Sequence, residues 1–364
     1  MKKILILGAG NAQIDAIEYC KMNGYMVYGC SYTNTDKGIK YLDHFEQINI
    51  IDTELIENYV KENEIDLVYS VGSDLAMPTV AKVSEKLNLP HFVSYNTALT
   101  CNLKHIMRQT LGEKFKGNVP FKVVENIEEA ETFTRFPAML KPVDSQGQRG
   151  VHRVDSVNEI RKFFDKSISY SKSKKVILES FIEGQEISVN SYVKDGRVIF
   201  GLVSDRISFN EFPGGIIKKH KLPTSLTQEV VQKVIDLVER VCCKLEINNG
   251  PAYFQIKVVD NEPYIIEVTP RLDGCHMWRL IKTYCDVDLL DMSFRHLSGQ
   301  VVESDYKPKD GEYILEFMCQ PPHTVVDNHD IDEGIYTRWY YEIGDEVKEL
   351  NGYMEKCGYN IFRK

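Results

Sequence analysis

The first hundred residues alternate between short apolar runs and amphipathic segments, and this alternation limits the possible folds more than any other feature. We predict strands at 4–7, 26–28, 67–71 and 91–93, separated by helices at 12–22, 53–63 and 78–87. Strands that alternate with helices at this pitch form βαβ units, whose strands lie parallel in one sheet. The N-terminal region is therefore predicted to be a parallel α/β domain.

The pattern changes after a helical segment at 96–111. A small block follows, with short strands at 120–124, 138–142, 150–154 and 176–178 and helices at 127–133 and 157–164. Longer alternating strands come next at 187–193, 198–203, 253–259 and 263–268, with a helix at 226–245 and a strand-prone tail. We therefore predict an α/β region followed by α+β regions, in five segments with the bounds 1–95, 96–118, 119–183, 184–300 and 301–364.

Composition narrows the class of protein. The 44 Lys and Arg residues are outnumbered by 53 Asp and Glu residues, which disfavours a general nucleic-acid binder because that function needs clustered cations. No apolar stretch approaches the roughly 18 residues of a membrane span. The nine cysteines are scattered without a Cys-x-x-Cys pair, and no cluster has the spacing of a zinc motif. We expect a reduced cytoplasmic protein that binds neither membranes nor nucleic acids.

The turn after the first strand, Gly8-Ala9-Gly10-Asn11-Ala12-Gln13, is similar to a dinucleotide-binding fingerprint but lacks its third glycine. The second strand also ends without the acidic residue that would hold a ribose. A nicotinamide-dependent oxidoreductase is therefore a weak alternative. The turn is either a packing feature or a helix N-terminus at which Gly10 helps to hold an anionic group of a small substrate.

A lysine at the end of an apolar strand gives a more specific signal. Lys141 is followed by a run of small and glycine residues, 144–151, which includes Ser145, Gln146 and Gly147. Such a loop lets backbone N–H groups approach phosphate oxygens, while the lysine adds a positive charge beside them. A solvated lysine at a strand end is the simpler alternative.

Carboxylates recur at two later strand ends. Glu179 ends an apolar strand, and Glu186 follows after a short apolar stretch; this spacing suits main-chain contacts of Phe181 and Ile182 to an adenine edge and a ribose bound by Glu186. Further on, two strands joined through 260–262 would place Gln255 opposite Glu267. Their side-chain oxygens suit Mg²⁺ bound to phosphates, with Arg271 just beyond and directed at a transferring phosphoryl group.

Taken in order, these motifs resemble the ATP-grasp superfamily, specifically its carboxylate–amine ligase branch, which includes carbamoyl-phosphate synthetase large-subunit halves and amino-acid ligases. The resemblance covers residues 1–300 and implies a preATP-grasp βα domain, a linker helix, a lid, a core with a metal-binding hairpin and a C-terminal extension. It implies ATP contacts for Lys104, Lys141, Ser145, Gln146, Gly147, Glu179, Phe181, Ile182 and Glu186. It also implies metal ligation by Gln255, Glu267 and Thr269, where the family usually has Asn at the last position, and catalytic roles for Arg271 and Lys141.

Residues near the acceptor site are less specific. His220 lies in a basic loop, 214–223, where amino-acid ligases of the branch often have a His and a Pro. The alternative is a solvated basic loop, as charge runs usually are. Arg206 and Arg279 are further candidates for binding a substrate anion.

The resemblance implies an enzyme that uses ATP and Mg²⁺ to convert a small-molecule carboxylate into an acyl phosphate, which an amine then attacks to form an amide. A homodimer is expected, as in many relatives. Two alternatives stay open: carbamoyl-phosphate-type phosphorylation of bicarbonate or carbamate, and a non-catalytic nucleotide-binding protein.

Overall fold

The computed structural model describes residues 1–144, 149–212, 215–332, 334–350 and 352–364. Its N-terminal region is a four-stranded sheet of order β3-β2-β1-β4 in which all strands are parallel. The elements are β1 (Lys3–Leu7), α1 (Asn11–Met22), β2 (Met26–Cys30), β3 (His44–Glu46), α2 (Thr53–Glu62), β4 (Leu67–Tyr69) and α3 (Ala76–Lys86). The predicted parallel α/β region is confirmed.

One predicted strand is wrong. Residues 91–93 form no strand; Phe92 instead lies in a loop, with its ring packed edge-on against Tyr69 and Tyr192. Its apolar character serves core packing and not strand pairing. The fourth strand is β3, a three-residue edge strand whose exposed ends give no apolar signal in the sequence.

The predicted helical segment at 96–111 is two helices, α4 (Tyr95–Asn102) and α5 (Lys104–Leu111). Ser94 caps α4 by accepting a hydrogen bond from the Thr97 amide. The extended backbone of Leu103 separates the helices. This break places Lys104 in the first turn of α5.

The next region has a hydrophobic core of its own. It contains β5 (Phe121–Val124), α6 (Ile127–Ala130), β6 (Ala138–Pro142), β7 (His152–Val154), α7 (Val157–Ser169) and β8 (Val176–Ser180). The strands form an antiparallel sheet of order β5-β8-β6-β7. Its buried cluster is separate from the main core, so this unit, called the lid below, is a separately packed body.

An eight-stranded antiparallel sheet, called the core sheet below, has the order β13-β12-β9-β10-β11-β14-β16-β15. Its strands are β9 (Gln185–Lys194), β10 (Arg197–Ser208), β11 (Ile217–Leu222), β12 (Gly250–Val259), β13 (Glu262–Thr269), β14 (Tyr313–Gln320), β15 (Tyr336–Trp339) and β16 (Glu355–Arg363). The associated helices are α8 (Gln228–Lys244), α9 (Met277–Cys285) and α10 (Leu289–Leu297). The segment predicted as a C-terminal extension supplies three of these strands.

The two faces of the core sheet differ in character because side chains alternate along each strand. In β9, Ile187 and Val189 face the side covered by α8, where Gly201 on β10 lies against Ile235. Ser188 and Asn190 face the other side, and both are buried. A polar face that is nevertheless buried calls for hydrogen-bonding partners. This face forms the floor of the candidate site.

None of the described helices has the length and apolar character needed to cross a bilayer.

Candidate functional site

A cleft of about 770 Å³ separates the lid from the polar face of the core sheet. The lid contributes β6 and β8, the core sheet contributes β12 and β13, and the start of α5 closes one side. Among the predicted site residues, those that line it are Lys104, Lys141, Glu179, Phe181, Ile182, Glu186, Gln255, Glu267 and Thr269. The structure thus brings together residues that are up to 165 positions apart, as Lys104 and Thr269 are.

On the lid side, Glu179 is buried and forms two ion pairs. One oxygen accepts a hydrogen bond from Arg108 Nε at 2.7 Å, and the other pairs with Lys141 Nζ at 2.6 Å. Burial alone would raise the pKa of Glu179, but the charges of Lys141 and Arg108 hold it well below its usual range. The Glu179 carboxylate therefore fixes the position of the Lys141 ammonium at the cleft wall.

Arg108 joins three parts of the fold and was missed by the sequence analysis. Its guanidinium, 1% exposed, reaches from α5 to Glu179 on β8, to Asn118, and to the main-chain oxygens of Ile265 and Ile266 on β13. Its position in α5, one turn after Lys104, is the only signal for it in the sequence. Arg108 is the joint between the linker helix, the lid and the core sheet.

On the floor of the cleft, Lys104 Nζ lies 3.3 Å from Glu267 Oε1, and the two side chains are 40% and 29% exposed. The charge of Glu267 raises the pKa of Lys104, and the charge of Lys104 lowers that of Glu267 despite burial. Burial lowers the pKa of Lys141, an effect to which the neighbouring Lys104 charge adds. The two lysines thus share one electrostatic environment.

The predicted pairing of Gln255 with Glu267 is observed as direct register neighbours on β12 and β13. Gln255 Nε2 donates to Glu186 Oε1 at 2.5 Å, and Arg206 forms a close ion pair with the same Glu186 oxygen. Thr269 is buried, and its Oγ1 finds no hydrogen-bond partner in the part of the chain that the structure describes. Buried side-chain oxygens without partners are typical of sites that bind a ligand.

Arg271 follows β13 and pairs with Asp74, which the sequence analysis did not select. Arg271 Nε donates to Asp74 Oδ1 at 2.8 Å, and Nη2 lies 2.5 Å from the same oxygen. The two loops approach closely because Gly72 has a positive φ of 69° and a Cβ there would lie 2.9 Å from Gly274 Cα. Burial raises the pKa of Asp74. Asp74 follows the carboxyl end of the parallel strand β4. Ligands of open α/β sheets bind at the carboxyl ends of the strands, so this location was the signal for Asp74 in the sequence.

A family comparison agrees with this geometry. Residues 134–278 match the model of the ATP-grasp domain, and this range spans the lid strand that holds Lys141 and the loop that holds Arg271. This part of the chain is therefore an ATP-grasp domain.

Sequence relatives of the chain include the human mitochondrial carbamoyl-phosphate synthase [ammonia], which is 26% identical over 210 residues, or 56% of this chain and 14% of the relative. A carbamoyl phosphate synthase large chain of Vibrio vulnificus is 23% identical over 83% of this chain and 29% of its own length. The chain spans less than half the length of these curated relatives.

Solved structures share the fold over the whole chain. An L-amino acid ligase from Bacillus licheniformis matches with a TM-score of 0.80 and 19% identity, over 100% of this chain and 93% of the other. A phosphoribosylglycinamide synthetase from Anaerococcus prevotii matches with a TM-score of 0.79 and 19% identity, over 100% and 94%. The predicted α/β and α+β architecture is confirmed.

Several predicted site residues lie outside the cleft or outside the described residues. The Gly10 amide donates to Gln13 Oε1 at 2.9 Å, and Gly10 is not among the residues that line the cleft. Arg279 lies outside the cleft as well, with its Nη2 3.0 Å from Asp15. Ser145, Gln146 and Gly147 lie outside the described residues.

Asp15 on α1 forms a second cluster of buried charge, away from the cleft. Asp15 is only 2% exposed. Its carboxylate accepts four hydrogen bonds, from His276 Nδ1 (2.8 Å), Arg338 Nη1 (2.9 Å), Arg279 Nη2 (3.0 Å) and Trp278 Nε1 (3.3 Å). His276 Nε2 in turn lies 2.7 Å from the Tyr340 hydroxyl. This cluster ties the N-terminal sheet to α9 and to β15, and it gives Arg279 a structural contact.

His220 lies on β11 directly opposite Arg206 on β10, and it is completely buried. The predicted alternative of a solvated basic loop is therefore wrong for this residue. Burial lowers the pKa of His220 well below its usual value, and the charges of Arg206 and Lys356 lower it further. His220 thus lies on the polar face of the core sheet, where burial favours the uncharged imidazole.

Proposed function

We propose that this ATP-grasp protein is an ATP-dependent ligase that joins a carboxylate to an amine. A carboxylate oxygen of the substrate attacks the γ-phosphorus of ATP, the bond to the β–γ bridging oxygen breaks, and ADP leaves. The amine nitrogen then attacks the acyl carbon, the C–O bond to phosphate breaks, and the nitrogen loses a proton. Phosphorylation supplies the leaving group that a free carboxylate lacks.

One observation supports the proposal above all others: Lys104, Lys141 and Glu267 converge on an open cleft between two separately packed sheets. Transfer of a phosphoryl group depends mainly on positioning and on neutralising negative charge. Lys141 enters from the lid and Lys104 from α5, so a triphosphate between them would be held from two sides. Closure of the lid would keep water away from the acyl phosphate.

The floor of the cleft suits Mg²⁺. Glu267 offers a carboxylate, and Gln255 retains its amide oxygen because its nitrogen is the atom that donates to Glu186. The partnerless Thr269 Oγ1 adds a hydroxyl oxygen on the same face. Hard oxygen donors with substrate phosphates are the usual surroundings of Mg²⁺, which would neutralise charge on the phosphate oxygens when bound. We assign Gln255, Glu267 and Thr269 to this role.

The nucleoside end would lie towards the hinge between the lid and the core sheet. The Phe181 ring there stacks beneath the cations of Arg153 and Lys257, at 4.6 and 4.9 Å from the ring centroid. The Phe181 amide already donates to the Pro137 oxygen, which fixes the hinge backbone. We assign the adenine contact to the main chain at Phe181 and Ile182, the ribose contact to Glu186, and further phosphate contacts to Ser145, Gln146 and Gly147. Arg271 and Lys141 would contact the transferring phosphoryl group.

The test is substrate-dependent release of ADP. The purified full chain is incubated with ATP, Mg²⁺ and a panel of carboxylates, each with and without a panel of amines. We expect ADP to form only when a suitable carboxylate is present, and ADP, phosphate and amide to form in equal amounts when an amine is added as well. No carboxylate-dependent ADP from any member of a broad panel, despite ATP binding, would favour a non-catalytic nucleotide-binding protein.

Two matched variants locate the chemistry. Lys141→Ala should abolish turnover, whereas Lys122→Ala, on strand β5 of the same lid sheet and solvent-exposed at its amine, should not. Full turnover by Lys141→Ala would contradict the assignment.

A second candidate function is phosphorylation of bicarbonate or carbamate, which the carbamoyl-phosphate synthase relatives favour. Bicarbonate is itself a small carboxylate-like anion, so the same cleft would serve. ADP formation that requires bicarbonate and no organic carboxylate would favour this candidate over the first.

The partners in either case would be small molecules. A homodimer stays a prediction, which analytical ultracentrifugation of the full chain would check.

A further inference from the structure

We infer that His220, Asp273 and Cys275 form a second metal site, suited to a borderline-soft divalent cation such as Zn²⁺ or Co²⁺. One ligand atom from each residue lies within 4.8 Å of the other two. The three come from β11 and from the loop after β13, so the spacing along the chain gives no sign of the cluster. This site is separate from the Gln255, Glu267 and Thr269 oxygens and does not depend on the proposed ligase activity.

The imidazole of His220 is the first reason. It is 0% exposed, yet neither Nδ1 nor Nε2 has a hydrogen-bond partner among the described residues. Leaving a buried polar group without a partner costs about 1–3 kcal/mol, so a fold that retains one usually uses it. With no partner on either nitrogen, the imidazole can offer a lone pair to a metal.

The geometry of Asp273 is the second reason. Its Oδ1 accepts hydrogen bonds from the amides of Cys275 and Met277, at 3.0 and 3.2 Å, which fix the carboxylate in place. Its Oδ2 is buried without a partner in the part of the chain that the structure describes. Hydrogen bonds of this kind orient a metal ligand while leaving one oxygen for the metal.

Cys275 supplies the third donor. A thiol binds a metal as the thiolate, so metal binding must release the thiol proton. Lys356 Nζ lies 3.5 Å from Sγ and would donate to the thiolate once formed.

The surrounding charges decide between a cation and an anion. Arg206 and Lys356 both lie near His220, and alone they would favour an anion. Arg206, however, is already paired with Glu186. Asp273 and the Cys275 thiolate together bring two negative charges, which match a divalent cation. Nitrogen, oxygen and sulfur donors in one cluster favour Zn²⁺ and Co²⁺ over Mg²⁺.

The experiment is titration of the purified, metal-free full chain with Co²⁺, followed by absorption spectroscopy and equilibrium dialysis. We expect one Co²⁺ per chain, a thiolate-to-cobalt charge-transfer band, release of protons, and displacement by Zn²⁺ but not by excess Mg²⁺. Cys275→Ser should remove the band, whereas Cys243→Ser, which alters an exposed thiol, should retain it. His220→Leu should weaken Co²⁺ binding by about tenfold or more.

Thermal unfolding of each variant verifies that it folds. A band that persists in Cys275→Ser, or no band in the folded wild-type chain, would overturn the proposal. Alkylation of Cys275 gives a second check. If acetate or inorganic phosphate slows this alkylation and Co²⁺ does not, the proposal is overturned and the cluster is an anion pocket.

Discussion

The Asp15 cluster and the polar face of the core sheet both bury charge, but they do so in opposite ways. Asp15 has four donors on its two oxygens. On the core sheet, by contrast, atoms of Asn190, His220 and Thr269 lack a hydrogen-bond partner among the described residues. A buried polar network in which every group has a hydrogen-bond partner stabilises the fold. Buried polar groups without partners lower stability, and a bound ligand that supplies the partners removes this cost. We therefore assign a structural role to the first region and ligand binding to the second.

The largest effect that we expect is the loss of unfolding free energy in Asp15→Ala. Asp15→Ala would leave His276, Arg279 and Arg338 without their shared partner, and removing one member of a buried ion pair costs about 3–5 kcal/mol of unfolding free energy. Chemical denaturation measures this loss. Glu18→Ala, which removes only the partly exposed partner of Arg338, should cost about 1 kcal/mol or less. Equal losses in the two variants would mean that the Asp15 network is not the structural tie.

Glu267→Ala should have the converse effect. We expect kcat to fall by about 100- to 1000-fold, because one preorganised electrostatic contact to the reacting phosphates is lost. Stability should change little, since its partner Lys104 is 40% exposed. Steady-state kinetics and a melting curve separate the two readouts. The control is Glu262→Ala, at the start of the same strand, where the carboxylate pairs with surface lysines.

Acidification should act on the Asp15 cluster. Burial opposes ionisation of Asp15, but the hydrogen bond and charge of His276, with those of Arg279 and Arg338, hold its pKa below the ordinary value of 3.8. A lowered folded-state pKa gives stability that is complete above pH 4 and is lost as the pH falls further. This contribution is on the order of 3 kcal/mol. The check is the free energy of unfolding of wild type and of Asp15→Asn, measured between pH 5 and pH 2. This free energy should depend less on pH in the variant than in wild type.

The smallest expected effect is at His220. In the metal-free chain, His220→Leu should leave stability unchanged or raise it by about 1 kcal/mol, because an apolar side chain removes two unpartnered nitrogens from the interior. Differential scanning calorimetry measures the change. A loss of more than about 2 kcal/mol would show that the imidazole makes a stabilising contact and that the two regions are not as different as proposed.

Local patterns were enough to predict most of the elements and the order of the site residues. The strand-end positions of Lys141 and Glu179 and the hairpin register of Gln255 and Glu267 follow from alternation along the chain, which the sequence displays directly. The break at Leu103 and the missing strand at 91–93 depend on packing against distant residues such as Tyr192, which no local pattern contains.

The missed site residues have the same explanation. Arg108 and Asp74 act through partners 71 and 197 positions away. The cluster of His220 with Asp273 and Cys275 likewise forms only when the core sheet has folded. Arg279 shows the opposite error, since a cation near predicted substrate residues proved to belong to the Asp15 cluster.

The most direct test is a crystal structure of the full chain with Mg²⁺ and a non-hydrolysable ATP analogue. The account predicts a triphosphate in the cleft between the lid and the core sheet, with Lys104 and Lys141 at its phosphates, and Mg²⁺ between those phosphates and Glu267. An analogue bound elsewhere, or a cleft that stays empty at saturating nucleotide with Lys141 and Glu267 turned to solvent, would contradict it.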